Sequence, residues 1–233
     1  MVVVGHLWRM ISTKERGLSK SRNMAINNAK GVICLFCDDD EIMEEGYKEI
    51  ILNAYREVSD ATAIVFNLNR INYKMKKTYY QIVKKRIAPW YRGYSSQLLT
   101  FRLDKINEKK IRLNEKFGSG TPWGGGEEIL FEDAIRKAGF KLYEYPQVIA
   151  TIDYGQGSQW FTGYDEKYFY NLGAFIYYKF KKNIFLRELR CLFTCYRLKN
   201  ERTLSLKQKM HWMHAGMVGI RKNITYGVYI NND

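Results

Sequence analysis

Proline is scarce in this 233-residue chain, with three in all, so no proline-rich linker divides it. Four cysteines, at positions 34, 37, 191 and 195, do not form the framework of a small secreted domain and point to a reducing compartment. Cys34 and Cys37 have CxxC spacing but lie inside the apolar run Val32 to Cys37. Strand alternation there would send the two thiols to opposite faces, which argues against a zinc or dithiol site. Cys191 and Cys195 are four apart and are expected to pack as small hydrophobes on a helix. Of the three histidines, His211 and His214 have helical spacing without a nearby carboxylate partner in sequence, so a histidine metal site is not expected. No apolar run approaches the roughly 18 residues that span a bilayer, and the opening MVVVGHLW is too short for a secretory leader. No helix-turn-helix, RNP-type or zinc-finger pattern is present, so nucleic acid is not an expected partner. A cytoplasmic location is expected, with peripheral placement on the inner face of the cell membrane.

Basic and aromatic residues, by contrast, are abundant. Net charge is +14, from 38 basic against 24 acidic residues, a balance that favours anionic partners. The excess is concentrated between Lys179 and Lys222, where only Glu188 and Glu201 oppose it. Aromatics make up 15% of the chain, including 18 tyrosines. A flat apolar ring with a polar tip suits both sugar clefts and membrane interfaces. A hydrophobic fraction of 46% is ordinary for a globular core.

Periodicity divides the chain into alternating elements. A short strand is expected at Val2 to Val4 and another around Trp8 to Ser12. Next come a helix over Lys20 to Ala29 with Ser19 as N-cap, a buried strand over Val32 to Cys37, and a helix over Glu41 to Val58. Ala61 to Leu68 reads as a second buried strand. Ser95 to Arg102 and Lys141 to Ile152 read as further strands, with helices at Asp104 to Lys109 and Glu128 to Ala138. From Asp165 onwards two or three basic amphipathic helices are expected, ending near Asn223. Such alternation predicts an α/β fold with a mixed, mostly parallel sheet flanked by helices.

The chemistry concentrates where a strand ends in Asp38-Asp39-Asp40. Adjacent carboxylates repel one another unless a cation or hydrogen-bond donors compensate. In open α/β sheets ligands bind at that end of the strands, so a hard divalent cation bridging to a diphosphate would account for the cluster. Simple capping of the next helix by Asp40 and Glu41 is the alternative. The glycine-rich stretch FGSGTPWGGG, residues 117–126, is not followed by Lys-Ser or Lys-Thr and is therefore not an ATPase phosphate loop.

Gly17-Leu18-Ser19-Lys20-Ser21-Arg22-Asn23, the Ala29-x-Gly31 turn, an apolar strand and the aspartate triplet together resemble the core signature of family-2 glycosyltransferases of the GT-A fold. That resemblance implies that Arg22, Asn23, Asp38 and Asp39 face a nucleotide-diphosphate sugar, and that Asp38 and Asp40 hold a divalent cation, Mn2+ or Mg2+. It also implies an acidic pair at a helix start with a following apolar residue and glycine, a pattern met by Glu127, Glu128, Phe131 and Gly139. Glu128 would then be the general base of an inverting transfer to a hydroxyl acceptor. Glu stands there in place of the commoner Asp. Glu132 and Asp133 are expected on the exposed part of that helix. Trp123 and Glu127 are candidate acceptor contacts. Many relatives place a metal-binding His after the catalytic helix; this chain has Asp153 there, a candidate oxygen ligand.

The resemblance further implies a role in cell-surface polysaccharide or glycolipid synthesis, with a saccharide or lipid-linked acceptor. Basic C-terminal helices carrying Phe185, Leu189, Leu192, Phe193 and Tyr196 would rest on an anionic membrane surface; ordinary packing on the domain with a solvated basic face is the alternative. Residues 1–180 are expected to form the transferase domain and 181–233 a basic helical extension. Only 16 residues precede Gly17, so the first strands of the usual domain are expected to be missing. A relative that binds nucleotide sugar without catalysing, or acts as a scaffold, is the alternative reading.

Overall fold

A computed structural model describes residues 10–72, 80–156 and 163–231. The expected strand at Val2 to Val4 and the first part of the one at Trp8 fall outside these residues. Helix α1 (Leu18–Asn28) leads into strand β1 (Ile33–Leu35), then β2 (Glu41–Met43), α2 (Tyr47–Glu57) and β3 (Ala61–Ile71). After β4 (Arg86–Ile87) come β5 (Leu99–Arg102), α3 (Leu103–Glu108), α4 (Glu127–Lys137) and β6 (Lys141–Asp153). Four helices complete the chain: α5 (Glu166–Phe180), α6 (Ile184–Arg197), α7 (Leu206–Lys222) and α8 (Tyr226–Ile230).

The six strands form one mixed sheet in the order β1-β5-β3-β6-β2, with β4 also pairing β6. An α/β fold with a mixed sheet is as expected, but the balance of directions is not. Among the described residues only β3 and β6 run parallel; the other four pairings are antiparallel. The central strand β3 explains the continuous apolar run that begins at Ala61: its first eight residues are all buried, as a strand covered on both faces requires. Pro146 lies in β6, which an unbroken ladder would not tolerate. It sits where the β3–β6 register shifts, between the Val65–Glu144 and Asn67–Val148 pairs.

Two segments differ from their sequence reading. The strand expected to be buried over Val32 to Cys37 is the short β1, only half-buried. Among the described residues it pairs on one side alone, with β5. The helix expected from Glu41 starts instead at Tyr47. Glu41, Ile42 and Met43 pair with Ile152, Thr151 and Ala150 of β6, and Gly46 takes a left-handed φ of 73° that sets the entry to α2.

Buried side chains fall into two clusters. One packs the sheet against α1, α2, α3 and α4, around Phe66, Phe101 and Phe131. The other joins α5, α6 and α7 to the glycine-rich loop through Phe117 and Trp123. Helix α5 thus packs with the C-terminal helices. Its contact with α7 is close because glycines face backbone: a methyl on Gly173 would lie 1.9 Å from the Met213 carbonyl oxygen, and one on Gly216 would lie 1.8 Å from that of Tyr170. Lys209 of α7 is almost fully buried, and its ammonium donates to the carbonyls of Leu198 (2.8 Å) and Glu201 (2.7 Å) at the end of α6. Leu198 caps α6, where the negative end of the helix dipole favours a cation.

Gly216→Ala is therefore predicted to force the two helices apart at a cost of about 3 kcal/mol. A thermal melt measures this directly, with Ala215→Gly, where no atom is added, as the comparison.

Candidate active site

The site is assembled from four segments that meet at α1. The N-terminus of α1 docks on the glycine-rich loop, where the Leu18 N–H donates to the Ser119 carbonyl (2.9 Å). The fully buried Ser19 hydroxyl donates to the Phe117 carbonyl (2.5 Å). Ser19 is thus inside the helix and reaches the loop, instead of capping its own helix as expected. One turn on, the Arg22 side chain is buried, with its guanidinium 5.2 Å from the centre of the Phe36 ring.

Arg22 joins the two acidic motifs. One nitrogen donates to Asp38 at 2.9 Å, after β1; another lies 3.4 Å from Glu127, at the start of α4. The second oxygen of Glu127 is buried without a hydrogen-bond partner. Gly126 makes this approach possible: it enters α4 with φ 106°, and a methyl there would lie 2.6 Å from the Phe175 ring. The glycine-rich loop therefore sets the aim of α4 and holds the start of α1.

Asp38, Asp40 and Glu41 each offer a carboxylate oxygen, and these oxygens all lie within 4.8 Å of one another. Glu41 is half-buried. One of its oxygens accepts from the Asp38 backbone N–H (3.1 Å), and the other is buried without a partner. Burial pushes its carboxyl up to about 7, against the pull of the Asp38 N–H. Three converging carboxylates, of which Glu41 keeps one oxygen buried without a partner, fit a hard divalent cation.

The expected ligand Asp153 is not in this group. It stands one residue beyond the Glu41–Ile152 pair, but its side chain accepts from the Asn72 amide (2.7 Å) and the Gly155 N–H (2.8 Å). Those donors hold its carboxyl below the usual range. Glu41 takes the third place instead. Its residue type was visible beside the triplet, but the helical reading of Glu41 to Val58 hid its strand geometry. Asp39 is exposed and lies outside the group.

Two further assignments are corrected. Asn23 does not face a nucleotide: its amide nitrogen donates to the Leu113 carbonyl (2.9 Å) and to Glu115 (3.1 Å), and its oxygen accepts from the Leu113 N–H (2.8 Å). It ties α1 to the loop after α3. Trp123, a candidate acceptor contact, is packed away from solvent. It is 1% exposed and stacks on Tyr170 in the helical cluster, with centroids 6.2 Å apart and planes 7° from parallel. Glu127, expected to contact an acceptor, is instead the buried partner of Arg22. His214, expected to lack a carboxylate, pairs with Glu188 of α6 at 2.9 Å.

Glu128 follows Glu127 on the first turn of α4 and is half-buried. Its carboxyl is pushed up to about 8, chiefly by desolvation and next by the charge of Glu127. One turn further along, Glu132 is fully buried, not exposed as expected. It accepts from the Tyr94 N–H (2.9 Å) and faces Arg136 (3.4 Å). Burial raises it to about 8 as well, against the opposing charge of Arg136. Glu144 on β6 shows the contrast. It too is fully buried, but Arg86 (2.6 Å), Arg92 (3.0 Å) and the Tyr94 hydroxyl all donate to it. Desolvation alone would raise it; those donors outweigh burial and keep its carboxyl below the usual value. This network pins the segment around residues 86–94 to the sheet.

Comparisons with known proteins bear on the family and the fold. The sequence profile of the family described as "Glycosyl transferase family 2" matches residues 5–131, just over half of the chain. Among solved structures, S. aureus TarS 1-349 in complex with UDP-GlcNAc is similar, with a TM-score of 0.61 at 12% identity over 90% of this chain. The same TarS fragment in complex with UDP gives a TM-score of 0.54 at 11% identity, covering 93% of this chain and 72% of that one. The chain spans 63% of the first of these structures. No curated protein matches. What the TarS structures share with this chain at such identity is the fold.

Glu128 and Glu132 bind protons more tightly folded than unfolded, because their folded values lie above the ordinary 4.5. Stability from them is complete below about 4.5 and is lost as pH rises through about 8. Glu144, lowered, acts in the opposite sense, and its contribution is lost on acidification. The thermal midpoint is predicted to fall between pH 5 and 8.5, and Glu132→Gln should flatten that fall. An equal slope in wild type and variant would contradict the assignment.

Proposed function

The chain belongs to glycosyl transferase family 2, and on that footing we propose that it moves a sugar, with inversion, from a nucleotide-diphosphate donor to a hydroxyl acceptor. The observation that carries this reading is the Arg22 bridge, which brings the aspartate-rich strand end and the acidic start of α4 into one site. In this reading Asp38, Asp40 and Glu41 would hold a divalent cation, Mn2+ or Mg2+. When bound, such an ion neutralises charge on a departing nucleoside diphosphate. Arg22 supplies a fixed positive charge beside the same group and holds Asp38 in place.

Glu128 is the general base in this proposal. It takes the proton from the acceptor hydroxyl as that oxygen attacks the anomeric carbon from the face opposite the leaving group. A base is most effective when its pKa lies near the working pH, and a carboxyl raised to about 8 meets that condition. Burial chiefly, and next the charge of Glu127, keep Glu128 raised; Glu127 is itself held by Arg22. The acceptor in this reading is a saccharide or lipid-linked hydroxyl in cell-surface polysaccharide or glycolipid synthesis.

The test is release of nucleoside diphosphate from a panel of nucleotide sugars in the presence of Mn2+. Asp40→Ala and Glu128→Gln are each predicted to lower the rate by at least about 100-fold. In the wild type kcat/KM should rise with pH through about 8 as Glu128 ionises. Full activity in either variant removes the role assigned to that residue. Donor binding without turnover by the wild type would favour a relative that binds sugar nucleotides only.

A further inference from the structure

Helix α6 is apolar on two opposite faces. Cys191, Thr194, Cys195 and Leu198, at helical positions i, i+3, i+4 and i+7, are buried in the helical cluster with α5 and α7. Phe185, Leu189, Leu192 and Tyr196, at i, i+4, i+7 and i+11, lie on the other side with Phe193 beside them. Among these, Phe185 is 73% exposed, Tyr196 68% and Leu192 58%. Ordinary core packing therefore uses one face and leaves a row of large side chains over three turns in water. Single exposed apolar residues are common, but a continuous row of five marks an interaction surface.

The charge around this row identifies its partner. Between residues 181 and 222 lysine and arginine outnumber acidic residues by eleven to two. Lys181 and Lys182 stand exposed before the first turn of α6, and Arg197 and Lys199 stand exposed at its end. Arg190 lies 5.5 Å from the Phe193 ring centre and Lys199 lies 4.7 Å from that of Tyr196, so cations and aromatics alternate along the same side. A second copy of this chain would bring two strongly basic surfaces together, which like-charge repulsion opposes. An anionic bilayer satisfies both features at once: aromatic and leucine side chains enter the boundary between headgroups and acyl chains, and the basic residues meet lipid phosphate. No helix among the described residues is long and apolar enough to cross a membrane, so contact of this kind is peripheral.

We propose that the exposed face of α6 is a docking surface for an anionic phospholipid bilayer, with the helix lying in the plane of the membrane. This holds whether or not the chain transfers sugar. The test is flotation of the full chain with vesicles of phosphatidylglycerol and phosphatidylcholine in equal parts, against vesicles of phosphatidylcholine alone. The bound fraction is expected to be about ten-fold higher on the anionic vesicles. Phe185→Ser with Leu192→Ser should abolish flotation, and so should Arg197→Glu with Lys199→Glu. Both pairs are exposed, so the circular dichroism spectrum and melting temperature should stay those of the wild type. Equal binding to neutral and anionic vesicles overturns the proposal, as does undiminished flotation of either double variant. A dimer seen by light scattering without lipid, and lost in the Phe185 and Leu192 variant, would assign the row to a second copy and overturn it too.

Discussion

A buried guanidinium can hold two carboxylates together only where both approach from fixed backbone, and Arg22 does this between Asp38 and Glu127. Breaking such a pair leaves a buried charge uncompensated, at a cost of about 3–5 kcal/mol, so the arrangement is maintained by everything around it. The glycine-rich loop holds the start of α1, Phe36 carries the guanidinium on its ring, and Gly126 lets α4 begin beside Phe175. β1 and β2 lie at opposite ends of the strand order, and the short connection between them brings Asp38 and Asp40 together with Glu41 at the start of β2.

The buried carboxylates divide into two kinds. Glu144 receives three strong donors, is kept ionised, and fastens the 86–94 segment to the sheet. Glu41, Glu128 and Glu132 are desolvated beyond what their donors offset, and their proton affinities rise towards neutrality. Groups of the second kind weaken the fold as pH rises while becoming available as bases or ligands. Stability and reactivity thus oppose each other in one pH range, a common feature of functional sites.

Much of the element order was legible from periodicity. The continuous apolar run from Ala61 is the central strand and Asp165 caps the helix it was expected to precede, but the helices run past the expected end near Asn223: that residue caps α7, and α8 follows. Sheet direction was not legible, because apolar runs announce burial and say nothing of which neighbour a strand pairs with. The consecutive motif from Gly17 to Asp40 located the acidic site, and Arg22 was found there through its neighbours. Asn23 and Trp123 were misread for a shared reason: hydrogen-bonding and stacking residues serve loops and cores as readily as ligands, and only tertiary contacts with Leu113 and Tyr170 distinguish the two. Glu41 was missed because a three-residue strand leaves no periodic trace before an amphipathic helix.

The proposed site joins the two acidic segments and Arg22 around a divalent cation and a diphosphate. Calorimetric titration of the wild-type chain with a nucleoside diphosphate, with and without Mn2+, tests it most directly. Saturable binding that requires Mn2+ is expected. Binding of equal strength without the ion, or none in its presence, would contradict it.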